Sequence, residues 1–163
     1  MRRLVFAVLS LAFLATACQP ATTEMTEEQK AEIAAEVNAI NADYWDAWSA
    51  ADFDRGMSYF HNSPETVWGY AGNLDIGWDA IYAAYSPMFE AIASQAVTFT
   101  ESRMTVVAPD VVCINELGSV VATDTAGVAG PEVNFALLAV WVRRGGEWKV
   151  LFGHESVPVP ESM

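Results

Sequence analysis

The sequence predicts an α+β domain in which N-terminal helices pack against a strongly curved, mainly antiparallel sheet. Apolar residues recur at spacings of three and four before Ala93, which is typical of amphipathic helices. Four segments rich in β-branched residues follow, separated by turn sequences. Of the 163 residues, 53% are hydrophobic and 12% aromatic, which is enough apolar area for a single core. This order, with helices first and a meander of strands after them, is the one expected for an α+β domain.

The first seventeen residues predict an exported protein. Arg2-Arg3 precedes an apolar stretch, residues 4–14, that is too short to be a permanent membrane span. The stretch ends in Ala15-Thr16-Ala17-Cys18, which resembles the lipobox at which bacterial lipoproteins are cleaved and diacylated on the cysteine. We expect a signal peptide over residues 1–17, lipid on Cys18 and a tether over residues 18–26. The alternative is ordinary cleavage that leaves a free N-terminal thiol.

Lipidation would make the bilayer a partner of the chain, because two acyl chains give stable anchoring. Gln19 follows the cysteine and is compatible with sorting to the periplasmic face of the outer membrane. We expect a globular domain over residues 27–157, with a tail over residues 158–163.

Three helices are predicted in the first half of that domain. Thr26-Glu27-Glu28-Gln29 has the pattern of a capping box, so the first helix should begin there. Asp52 should cap a second, shorter helix that ends near Phe60. A third should begin at Trp78 or Asp79, and Pro87 should kink or divide it near Tyr85. The residues expected on the core face of the first helix are Ile33, Val37, Ile40, Tyr44 and Trp48.

The strand region predicts a short hairpin followed by four long strands. Residues 66–70 and 74–76 have strand composition and flank a tight turn. Gly145-Gly146 joins the last two strands and is typical of a two-residue hairpin. Simple alternation along the final strand places one set of side chains toward the interior and Glu155 on the opposite face. The predicted interior set is Trp148, Val150, Phe152, His154 and Ser156.

Charge and motif content exclude several functions. The formal net charge of −13 would repel a phosphate backbone, so nucleic acid is not expected as a partner. No phosphate loop, zinc-ligand spacing or dinucleotide fingerprint occurs, so neither a cofactor nor a metal is predicted. If Cys18 carries lipid, Cys113 has no partner for a disulfide and is expected to be a small core residue.

Several short motifs in the same order resemble one known family. They are Trp48-Ser49-Ala50-Ala51-Asp52-Phe53-Asp54, Tyr59-Phe60, Val67-Trp68, Gly77-Trp78-Asp79-Ala80-Ile81, and Arg144-Gly145-Gly146-Glu147-Trp148-Lys149-Val150 with His154 and Ser156. Together they resemble the SnoaL-like branch of the nuclear transport factor 2-like superfamily. The resemblance implies a cone-shaped fold with a pocket at its open end, and a homodimer formed through the sheet. Members differ widely in function, so the fold does not supply it.

The candidate site residues follow from the predicted strand faces and from the resemblance. His154 is the first candidate for proton transfer or ligand binding, and Glu116 is a second candidate base if burial raises its pKa. His61 could meet His154 at the pocket mouth. The predicted ligand-binding residues are His154, His61, Trp68, Tyr70, Tyr85, Asn134 and Phe152.

Three functions remain open at this point. The leading hypothesis is an anchored domain that binds a small, largely apolar molecule in an aromatic pocket. The second is a cofactor-independent isomerase, cyclase or dehydratase that uses His154 or a buried carboxylate as base. The third is a dimerisation or interaction module whose cavity is filled by Trp68, Trp78 and Tyr85.

Overall fold

A computed structural model describes residues 24–158 of the chain. The predictions for the signal peptide, for Cys18 and for the end of the tail lie outside these residues. The described chain forms α1 (Glu27–Ser49), α2 (Phe53–Ser58), β1 (Val67–Tyr70), β2 (Asn73–Ile76), α3 (Trp78–Phe89), β3 (Ile92–Ala108), β4 (Val111–Asp124), β5 (Val133–Arg144) and β6 (Glu147–Ser156).

The six strands form one sheet in the order β2-β1-β6-β5-β4-β3. β1 runs parallel to β6, and every other neighbouring pair is antiparallel. The predicted class, N-terminal helices against a curved and mainly antiparallel sheet, is confirmed. No helix among residues 24–158 combines the length and the apolar character needed to cross a membrane.

Helix α1 begins at the predicted capping box and lies on the inner face of the sheet. Thr26 Oγ1 accepts from the Gln29 amide at 3.2 Å, and Gln29 Oε1 accepts from the Thr26 amide at 2.9 Å. Val37 is fully buried, and the Tyr44 ring meets Trp141 of β5 edge to face at 5.6 Å. The apolar stripe predicted from spacing is therefore the face that joins α1 to the core.

Helix α3 differs from its prediction because Pro87 does not divide it. Pro87 lies in the last turn, and the helix continues to Phe89. Proline lacks the amide that would bond to the carbonyl four residues earlier, and its ring crowds that preceding turn. The amides after it are unaffected, and the Glu90 amide still donates to the Ser86 carbonyl at 3.2 Å. At the other end, Gly77 adopts φ 95° and donates its amide to the Thr66 carbonyl at 2.7 Å.

Irregular strand pairing curves the sheet. The β3–β4 ladder shifts register in three places, and the β5–β6 ladder shifts once, where Val140 pairs with Phe152 but Trp141 pairs with Val150. Leu151 is the unpaired extra residue of that β-bulge, which bends β6 and increases its twist. The predicted glycine hairpin is confirmed, because Gly145 and Gly146 both have positive φ, 64° and 90°, as a type I′ turn requires.

Candidate functional site

A cavity of about 300 Å³ lies between the three helices and the inner face of the sheet. Its mouth is bordered by Met88, Gly130 and Pro131, which line the cavity and are exposed. The walls are dominated by rings. The aromatic lining residues are Tyr44, Trp45, Trp48, Phe53, Phe60, Trp68, Tyr70, Tyr85, Phe89 and Phe135. Because Trp68 and Tyr85 are walls of the space and Trp78 lies outside its lining, the hypothesis of a filled cavity is wrong.

Among residues 24–158, Glu155 is the only one with a charged side chain that lines the cavity. It lies near the end of β6, opposite Tyr70 of β1 and Leu137 of β5 in the strand register. Its carboxylate makes no hydrogen bond or ion pair with any residue from 24 to 158. The cavity therefore contains one carboxylate with unused acceptor capacity and no countercharge.

Burial raises the pKa of Glu155 from its ordinary 4.5 to about 7. Desolvation by the aromatic walls is the cause, because a carboxylate loses hydration there without gaining hydrogen bonds. At neutral pH this side chain is therefore present in both the protonated and the ionised form. A group in that condition can either accept or donate a proton in the cavity.

Two tyrosines extend the polar part of the site from Glu155 to the edge of the sheet. The Tyr70 and Tyr85 rings meet edge to face at 5.9 Å, and the Tyr85 hydroxyl donates to Asp75 Oδ2 at 3.2 Å. Burial, followed by the negative charge of Glu155, raises the pKa of Tyr70. Both tyrosines were predicted as ligand-binding residues, and both line the cavity.

The bulge at Leu151 decides which side chains of β6 face inward. Trp148 and Val150 are buried before the bulge, but after it Gly153 and Glu155 face the interior, and Phe152 and His154 are exposed. The predicted orientation of Phe152 and His154 toward the cavity is wrong, because one extra residue reverses the alternation of a strand. The same shift brings Glu155 into the cavity.

Matched glycines accommodate a ring on each face of the β1–β6 pair. Trp68 is opposite Gly153 on the inner face, and Gly69 is opposite His154 on the outer face. A Cβ at either glycine would overlap the ring across from it. Trp68 therefore lies flat on β6 as a cavity wall, as predicted, whereas His154 covers Gly69 from outside.

Glu116 is on the inner face of β4 but does not line the aromatic cavity. Its two carboxylate oxygens accept from Asn41 Nδ2 and Trp45 Nε1, each at 2.9 Å. Burial raises the pKa of Glu116, and these two hydrogen bonds act in the opposite direction. The candidate base thus connects α1 to the sheet: both of its oxygens accept from α1, and Ser102 of β3 also donates to Oε1, at 3.5 Å.

The remaining predicted site residues lie elsewhere. The His61 amide donates to the Val150 carbonyl at 2.9 Å, and His154 stands four residues further along β6, on the outer face. The two histidines are not brought together at the cavity mouth. Asn134 is exposed and does not line the cavity, because its neighbours Val133 and Phe135 point inward instead.

The outer face of the sheet carries its own shallow groove, lined by residues of β3 to β6 that include His154, Leu138 and Arg103. Exposed apolar side chains accompany it: Leu117 is 44% exposed, Leu138 39% and Phe152 44%. Among residues 24–158 no group of three or more potential metal ligands is close enough to hold an ion.

Glu155 was missed because strict alternation was assumed along β6. The available indication was the uninterrupted apolar run Val150-Leu151-Phe152, which does not fit a strand with one polar face. Gly153 was a second indication, since glycine inside a strand often marks a bulge or a close approach.

The cavity, the three helices and the curved sheet together define a cone-shaped domain of the nuclear transport factor 2-like kind. The SnoaL-like domain model matches residues 37–160, and the chain belongs to that family. No curated protein matches the sequence.

Several solved structures share the fold. A nuclear transport factor 2-like superfamily protein from Salmonella enterica is 19% identical with a TM-score of 0.64, covering 85% of this chain and 96% of that one. A putative scytalone dehydratase from Novosphingobium aromaticivorans is 10% identical with a TM-score of 0.69, covering 82% and 89%. The association domain of C. elegans CaMKII is 18% identical with a TM-score of 0.63, covering 80% and 99%.

Proposed function

We propose that this domain binds a small, largely apolar molecule in the aromatic cavity. The observation that carries the proposal is a space of about 300 Å³ with mainly aromatic walls, in which Glu155 is the only charged group that the described part of the chain contributes. Apolar walls with a small number of orienting polar groups are typical of small-molecule sites, and this volume is at the lower end of their range. The occupant is accordingly expected to be compact.

The experiment is native mass spectrometry of the full chain purified from its own host. We expect a retained small molecule in the wild type and its loss in Ala122→Trp, because Ala122 lines the cavity and an indole there would fill it. Ala136→Trp is the matched control, since Ala136 lies in the outer groove. No retained molecule in the wild type, together with no thermal stabilisation by any compound of a neutral and charged aromatic panel, would contradict the proposal.

The second candidate is a cofactor-independent isomerase or dehydratase with Glu155 as the proton-transfer group. The specific observation in its favour is a carboxylate with pKa about 7 inside an apolar cavity, because a base works best when its pKa is near the working pH. A structural relative bears the name putative scytalone dehydratase. Turnover that disappears in Glu155→Gln and persists in His154→Ala would support this candidate; persistence in both would reject it.

We also propose that the chain is an exported lipoprotein anchored through Cys18. The sequence Ala15-Thr16-Ala17-Cys18 supports this, and the tether joins the domain at Glu27, the first residue of α1. Trp48, a wall of the cavity, lies about 32 Å further along the same helix at 1.5 Å per residue. The tether over residues 18–26 would let the anchored domain stand off the membrane. Intact-mass detection of acyl chains, lost in Cys18→Ala, tests the anchor, and an unmodified cysteine would refute it.

A homodimer through the outer face of the sheet is the third part of the proposal. Leu117, Leu138 and Phe152 supply its exposed apolar surface. Sedimentation of Leu138→Asp should show a monomer, whereas Val128→Asp, which adds the same charge at a position 62% exposed and outside the groove, should sediment like the wild type. A monomeric wild type at micromolar concentration would rule the dimer out.

A further inference from the structure

We propose that the occupant of the cavity is a small organic cation: an apolar body carrying one ammonium group, held between Glu155 and the surrounding tyrosine and tryptophan rings. The inference rests on the proposed binding function and names the class of ligand for the same cavity. It depends on three features of the described residues, namely the isolation of the carboxylate, the arrangement of the rings around it and the charge of the chain.

The first feature is the lack of a countercharge. Glu155 has no hydrogen bond or ion pair with any residue from 24 to 158, and no lysine, arginine or histidine lines the cavity. An ionised carboxylate in an apolar space is costly unless an opposite charge joins it. A bound ammonium group would supply that charge, whereas an anion would find only repulsion. A neutral molecule would leave the carboxylate either protonated or unpaired.

The second feature is the set of rings beside Glu155. Tyr70 is its register partner on β1, and Trp68 lies flat over Gly153, two residues earlier on the same inner face. Tyr85 completes the group from α3 through its edge contact with Tyr70. The faces of tyrosine and tryptophan rings attract cations, and cages of such rings are the usual means of binding quaternary ammonium groups.

The third feature is the negative field in and around the site. After burial, the charge of Glu155 is the next cause that raises the pKa of Tyr44, so this field reaches the wall contributed by α1. The whole chain carries a formal charge of −13, which would attract cations toward the mouth and repel anions. Local and long-range electrostatics therefore select the same class of ligand.

Binding of a permanent cation should depend on pH, because it requires ionised Glu155. The titratable groups that face this carboxylate are Tyr44 from α1, Tyr70 from β1 and Tyr85 from α3, with Asp75 behind Tyr85; Leu137 faces it from β5. Burial raises the pKa of each of the three tyrosines, so all remain neutral from pH 6 to pH 8. With a Glu155 pKa of about 7, the ionised fraction, and with it the apparent affinity, is about tenfold lower at pH 6 than at pH 8.

The test uses three probes of one shape and different charge: phenyltrimethylammonium, its neutral isostere tert-butylbenzene, and benzenesulfonate. Dissociation constants of the full chain are measured from tryptophan fluorescence at pH 6 and pH 8, for the wild type, Glu155→Gln and the control Glu32→Gln. Glu32 is exposed on α1 and outside the cavity lining, so the control removes the same charge elsewhere.

We expect the cation to bind at least tenfold more tightly than the isostere at pH 8, and benzenesulfonate not to bind. The advantage of the cation should fall about tenfold at pH 6 and be lost in Glu155→Gln, while Glu32→Gln retains it. If tert-butylbenzene binds as well as the cation at both pH values, or better, the cation inference is wrong and the proposed binding function stands. If none of the three probes binds, the cation inference is wrong. The binding function fails with it only if native mass spectrometry of the wild type also shows no retained molecule and the aromatic panel gives no stabilisation.

Discussion

Replacing Glu155 by glutamine should stabilise the free protein, and the gain should grow with pH. In the unfolded chain this carboxyl ionises with its ordinary pKa of 4.5, whereas in the folded chain its pKa is about 7 because of burial. The unfolded state therefore loses its proton first as pH rises. The free energy of unfolding falls between pH 4.5 and pH 7 and is constant, for this group, outside that window.

The size of the effect follows from the two pKa values. Their difference corresponds to a loss of about 3 kcal/mol by pH 8, at about 1.4 kcal/mol for each tenfold change in proton affinity. Glutamine has a similar shape and no charge to desolvate, so Glu155→Gln should escape this loss. The variant and the wild type should differ least at pH 4.5, and the variant should gain up to about 3 kcal/mol relative to the wild type at pH 8.

Urea unfolding followed by tryptophan fluorescence at pH 4.5, 6, 7 and 8 measures this difference. All other carboxylates, including the buried Glu116, are present in both proteins, so their titration cancels in the comparison. Glu32→Gln, which removes an exposed charge from α1, should show no comparable gain. If the stability difference between Glu155→Gln and the wild type is the same at pH 4.5 and at pH 8, the raised pKa assigned to Glu155 by its burial in the cavity wall is refuted.

Three further outcomes are expected. Gly153→Ala should lower stability by about 1–3 kcal/mol in urea unfolding, because the new methyl group displaces the Trp68 ring that lies on that glycine. Glu116→Gln should lower the free energy of unfolding by about 1–3 kcal/mol in the same assay. The Glu116 carboxylate accepts from Asn41 and Trp45 of α1, and a glutamine amide would present its own donor to one of them. His154→Ala should leave the affinity of a cavity ligand within twofold of wild type by fluorescence titration, because the His154 ring lies on the outer face of the sheet. A larger loss of affinity would show that His154 takes part in ligand binding.

The elements that could be predicted are those governed by local rules. The capping box at Thr26 depends on residues three apart, and the hairpin at Gly145-Gly146 depends on two residues that tolerate positive φ. The core stripe of α1 follows from helical periodicity alone. The aromatic lining was predicted in part, because Trp68, Tyr70 and Tyr85, which were predicted as ligand-binding residues, line the cavity.

The errors on β6 share one physical origin. Alternation predicts the face of a strand residue only when the strand is regular, and one bulge at Leu151 reversed every position after it. Phe152 and His154 were consequently placed inside, and Glu155 outside. Glu116 was a candidate base only on the condition of burial. Its hydrogen bonds to Asn41 and Trp45 span more than seventy residues and have no local pattern that would predict that burial.

The sequence by itself determined the order of the elements, the start of α1, the tight turn before β6 and the abundance of aromatic residues. The first three properties depend on backbone preferences and side-chain spacings that act within a few residues, and the last is a property of the composition. Only the tertiary structure decided that the rings leave a cavity and that one glutamate faces into it with no partner among residues 24–158. That outcome depends on how β6 bends against β5 and β1, and the free energy of packing those strands together is shared by residues far apart in the chain.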